Sequence, residues 1–181
     1  MLAKVIFALG TLGVAGGYVA YEASKFDPSV YPYSRQQAQA MLVAAKTAIP
    51  RRDNNGQIEI WSTGPSNKGV MLNMRYSSKA PLIKCDVAIT EIAPNQVRAT
   101  PDCGGDPKTE SVIARTGEEL RVPMFAEHVE ATLNNRAFDR ARAAQKEVAI
   151  TFKNLNAMQN EALESYAEAQ RMQYELDPKK R

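Results

Sequence analysis

The sequence predicts an α+β protein: an N-terminal transmembrane helix, then a helix with an antiparallel sheet of four or five strands, then a long C-terminal helical arm. Three observations carry this. Residues 1–21 form an apolar run, residues 58–101 repeat apolar positions at period two, and residues 139–175 are rich in Ala, Gln and Glu without a helix breaker. The expected organisation is an anchor at 1–21, a stalk at 22–33, an α+β domain at 34–135, and a long helix with a basic tail at 136–181.

The run Leu2–Tyr21 carries Lys4 as its only charge. At 1.5 Å rise per residue it is close to the roughly 30 Å of hydrocarbon that a helix must cross. A peptidase site at Ala15-Gly16-Gly17 would cut inside the run, whereas Tyr18 and Tyr21 suit an interfacial belt, so retention as a signal anchor is favoured over a cleaved, secreted form. The positive-inside rule then puts the N-terminus in the cytoplasm. Everything from residue 22 onward is then expected to be extracytoplasmic, on the periplasmic side of a bacterial inner membrane. Gly13 and Gly17 have the spacing that lets two membrane helices pack closely, which makes them candidates for lateral association.

Pro28 and Pro32 in residues 22–33 suit a semi-extended stalk. Ser34-Arg35-Gln36-Gln37 has the capping-box form, and Ala38, Met41, Leu42, Ala45 and Ile49 follow at helical spacing until Pro50. Ile58 and Ile60, then Val70, Leu72, Met74 and Tyr76, alternate with polar neighbours and predict strands. Strands at 82–92 and 97–101, and a further one at 111–115, complete the expected sheet. Thr116-Gly117-Glu118-Glu119 fits a helix cap or a hairpin tip. Phe125, Val129 and Leu133 define a helix that Asn134-Asn135 interrupts.

Cys85 and Cys103 are an even pair behind an export segment, the context in which disulfides form. Folding the chain back about Pro94 sets position 85 beside position 103, so these two should be bonded. In the last helix, Val148, Phe152, Leu155, Gln159, Ala162, Tyr166, Ala169, Gln173 and Leu176 recur at alternating spacings of four and three. That is the seam of a coiled coil, interrupted by two glutamines; the alternative is an arm that folds back along the sheet or protrudes alone.

Chemistry is sparse. His128 is the single histidine and lies between Glu127 and Glu130; positions 127, 128 and 130 are expected to point in different directions on a helix, with no ligand pair at i and i+4. With no second histidine and with oxidised cysteines, neither a metal site nor a nucleophilic thiol is built, and no G-x-S-x-G elbow occurs. Asp102-Cys103-Gly104-Gly105-Asp106-Pro107 lacks the ligand ladder of a calcium loop and reads as a turn. No cofactor is implied. A net charge of +3 without a concentrated basic face argues against nucleic acid, and Arg136, Arg140, Arg142 and Lys146 read as a solvated helix surface.

The expected role is therefore a non-catalytic, membrane-anchored interaction or scaffolding protein, associating through Gly13 and Gly17 and through the C-terminal helix with itself or a partner. The alternative is an envelope domain that binds a lipid-like ligand in a cavity between sheet and helix, with Met41, Met71, Met74 and Trp61 as lining residues.

Overall fold

The computed structural model describes residues 27, 29–51, 56–105 and 108–176. Their elements are β1 (Val30–Tyr31), α1 (Arg35–Ala44), β2 (Lys46–Pro50), β3 (Gln57–Pro65), β4 (Gly69–Arg75), β5 (Ile83–Ala93), β6 (Gln96–Asp102), α2 (Val112–Glu119), α3 (Val122–Leu133) and α4 (Arg140–Leu176). The fold is α+β, with a six-stranded antiparallel sheet in the order β1-β6-β5-β4-β3-β2 and a long C-terminal helix. The anchor and its residues Gly13 and Gly17 lie outside the described residues. Among those described, no helix is long and apolar enough to cross a membrane.

Strands β2 to β6 form a continuous meander, because short connections leave each strand beside its predecessor. One face of this sheet is apolar. Ile58, Ile60, Val70, Leu72, Met74, Cys85, Val87 and Ile89 are buried there beneath α1 and α3, which contribute Ala38, Leu42, Met124, Phe125, Val129 and Leu133. Gly69 is required where β4 passes β5, because a Cβ at this position would run into the Val87 carbonyl oxygen.

The sheet has more strands than expected, and three local readings change. The helix begins at its capping box, with Ser34 and Gln37 bonding each other's backbone amides, but ends at Ala44 instead of running to Pro50. Ala45 is already extended, and β2 pairs Thr47 with Ile60 and Ile49 with Ile58. Thr47 and Ile49 satisfy a strand's alternation, and pairing with β3 overrides the helical spacing that Ala45 and Ile49 also satisfy. Residues 111–115 are not a strand: residues 112–115 are helical and Ser111 is the cap before them. Ser111 accepts from the Ala114 amide and starts α2, so Thr116 and Gly117 lie inside a helix and form neither a cap nor a hairpin tip. Finally, the described part of the 22–33 segment is tied down. Val30 and Tyr31 pair with Arg98 and Val97, Tyr31 enters the core, and Asp27 binds Arg98 at 2.8 Å.

The hairpin of β5 and β6 has its expected centre. Asp86 opposes Asp102 and Thr90 opposes Arg98, a register symmetrical about Pro94, and Asn95 adopts the left-handed conformation that a tight turn demands.

Candidate interaction surfaces

The register of β5 and β6 places Cys85 directly across from Cys103, and the two are bonded, with α-carbons 3.9 Å apart. This is closer than the roughly 4.4 Å lower bound expected from typical bridges. Beyond the bridge, Gly104 has φ +69° and its amide donates to Asp102, whose carboxylate also binds Lys68 at 2.9 Å. That carboxylate is thus occupied by the turn's own amide and by a lysine from the β3–β4 connection.

α4 is 37 residues long, and its N-terminal half is docked. Asp139 caps it by accepting from the Ala141 and Arg142 amides. Ala143 is buried, while Glu147, Ile150, Asn154, Met158 and Glu161 are half-buried along one face toward α2 and α3. Two of these contacts are polar anchors. Glu161 accepts from the Val112 and Ile113 amides at 2.6 and 3.1 Å, placing a carboxylate on the positive end of α2, and Asn154 donates to Glu119. The Ser111 side chain, with help from these amides, holds the Glu161 carboxyl below its usual range. From residue 162 to residue 175 every side chain is exposed, so the helix extends past the domain.

The seam read from the sequence lies on a different side of this helix. Phe152 is 71% exposed, Tyr166 64% and Val148 52%; Leu155 and Ala162 are exposed as well. At 100° per residue the seam is about a third of a turn away from the docked face. Leu163, Met172 and Tyr174 enlarge the exposed apolar area. Leu176 is the last residue of the helix.

The residues weighed for chemistry resolve into structural contacts. His128 is fully buried, its Nδ1 lies 2.8 Å from the Thr47 hydroxyl, and burial pushes its pKa down to about 4. Glu127 and Glu130 do not diverge as expected: three residues apart, they share a helix face and both reach Arg136. Glu127 is wholly buried and also accepts from the Asp139 amide at 2.9 Å. Burial alone would raise its pKa, but Arg136 and that amide outweigh the effect and lower it. The basic cluster is paired rather than simply solvated: Arg142 and Lys146 join Arg136 on Glu130, and Arg140 binds Glu147. Among the described residues no group of three or more His, Cys, Asp or Glu side chains is arranged to hold a metal ion.

The residues expected to line a sheet–helix cavity do not share one. Met74 is buried on the core face and Met41 packs against it, whereas Trp61 pairs with Asn73, and both they and Met71 lie on the opposite face of the sheet. One groove of about 520 Å³ does open, between β2 and the corner joining α3 to α4. It is lined by Ile49, Pro50 and Phe138 together with Lys46, Arg136 and Arg140, each of which is ion-paired to a glutamate.

Compared with protein-family models, curated proteins and solved structures, the chain matches none.

Proposed function

We propose that this chain is a membrane-anchored protein of the cell envelope that works by contact, without a catalytic step. The apolar leader attaches it, the α+β domain stands outside the cytoplasm, and α4 presents its seam to another helix. The observation that carries this reading is the uncovered apolar stripe on α4, beginning at Val148 and continuing where the helix has left its own domain. Stripes of this size on soluble surfaces mark interaction sites, and a spacing of four and three specifies a helical partner. The bonded Cys85 and Cys103 support an oxidising compartment.

The test is mild detergent extraction of the full chain and of Phe152→Asp and Tyr166→Asp variants. Wild type should come out with a stoichiometric companion, either a second copy or another helical protein, and both variants should lose it while remaining folded. Retention of the companion by both variants would count against α4 as the contact surface.

A further inference from the structure

The seam also indicates what covers it. We infer that α4 pairs with a second copy of itself, parallel and in register, an inference that rests on the contact role just proposed. The spacing from Val148 assigns Phe152, Gln159, Tyr166 and Gln173 to the first core position of successive heptads, the a position, and Val148, Leu155, Ala162 and Ala169 to the second, the d position. The a row therefore alternates aromatic and amide. In a parallel, in-register pair each a residue meets its own copy, so Phe152 and Tyr166 face aromatic rings. Each glutamine faces a glutamine, whose amide both donates and accepts. A slip of one heptad sets each amide against a ring, and an antiparallel pair sets it against the alanines and aliphatics of the d row. Either leaves a buried amide without a partner, and a polar residue at a core position is a known means of fixing register.

Two further observations favour a copy of the same chain. The positions flanking the seam between Ala149 and Met172 carry no charged residue, so two identical faces meet without like-charge repulsion; the charges of this stretch, among them Lys153, Glu164 and Glu168, lie elsewhere on the helix. The available area is also adequate. Phe152 and Tyr166, with Val148, Leu155, Leu163 and Met172, expose on the order of 600 Å², which approaches the roughly 800 Å² a side of a stable complex. The domain contacts α4 on a different face and so does not occupy the seam.

The experiment is site-specific oxidation of the full chain in mild detergent, with Gln159→Cys and Gln173→Cys tested separately and Lys153→Cys as the off-seam control, alongside sedimentation of wild type. Parallel pairing predicts a wild-type dimer and efficient crosslinking at both glutamine sites but not at Lys153. It also predicts at least a tenfold weaker dimer for Phe152→Asp. Positions 159 and 173 are about 21 Å apart along the helix, so an antiparallel pair can self-crosslink at one of them at most. Crosslinking at one site only, or a dimer unaffected by Phe152→Asp, overturns the inference. A monomeric wild type whose companion protein is lost in Phe152→Asp also overturns self-pairing yet leaves the contact role standing. A companion retained by that variant removes the contact role itself.

Discussion

Removing Glu127 tests what holds α4 in place. Its carboxylate is fully buried at the corner where α3 gives way to α4. It receives Arg136 through both oxygens and the Asp139 amide at the start of the long helix. In Glu127→Ala the amide loses its acceptor, a cost of about 1–3 kcal/mol, and Arg136 keeps Glu130 and the Ala137 carbonyl. Breaking a fully buried pair costs about 3–5 kcal/mol, but the Arg136 side chain is 27% exposed and water compensates part of its loss, so we expect a total of about 3 kcal/mol. Arg136→Met should cost more, about 4 kcal/mol, because the carboxylate it abandons has no access to water. Glu127→Gln keeps an acceptor for Asp139 and should cost about half as much as the alanine. Urea unfolding followed by circular dichroism measures all three; with a slope near 2 kcal/mol per molar, the alanine variant should move the midpoint by about 1.5 M. Three variants within about 0.5 kcal/mol of wild type, or an alanine variant less stable than Arg136→Met, would refute this account of the corner. The pH dependence has a definite sign. The folded pKa of Glu127 lies below its unfolded value of 4.5, so its contribution is present above pH 4.5 and is lost as pH falls through the folded value.

His128 gives a second pH signature. Its folded pKa near 4 lies below the unfolded 6.5, so stability should decline as pH drops from 6.5 toward 4, by up to about 3 kcal/mol, and His128→Gln should flatten the curve. Reduction of the Cys85–Cys103 bridge, which joins residues 18 apart, should lower unfolding stability by about 3 kcal/mol; equal urea midpoints with and without reductant would contradict it. Gly69→Ala should cost at least about 2 kcal/mol in the same urea assay, because its methyl meets the β5 backbone, which cannot move aside as a side chain could.

What was legible in the sequence followed local rules. Alternation and a central Pro94 give the β5–β6 hairpin its register and thereby its cysteine pair, and Ser34 with Gln37 marks a helix start through the bonds they make. Where two local patterns fit one segment, long-range pairing decided. Ile49 satisfies both the helix face begun by Ala38 and, with Thr47, a strand's alternation, and only pairing with Ile58 and Ile60 selects the strand. Residues 111–115 look like a strand by composition, yet Ser111 and the distant Glu161 supply the start of a helix. On α4, hydrophobic spacing finds the exposed seam. It misses the docked face, because that face is held by Asn154 and Glu161 through hydrogen bonds to α2 as much as by apolar contact.

The claim on which the proposed role depends is that the chain is carried across a membrane and remains attached to it. Fractionation of expressing cells followed by intact-mass analysis, with thiol alkylation before and after reduction, tests this in one measurement. The account predicts a membrane-bound protein that retains residues 1–21 and takes up label on Cys85 and Cys103 only after reduction. A freely soluble product whose two cysteines are alkylated without reductant would contradict it.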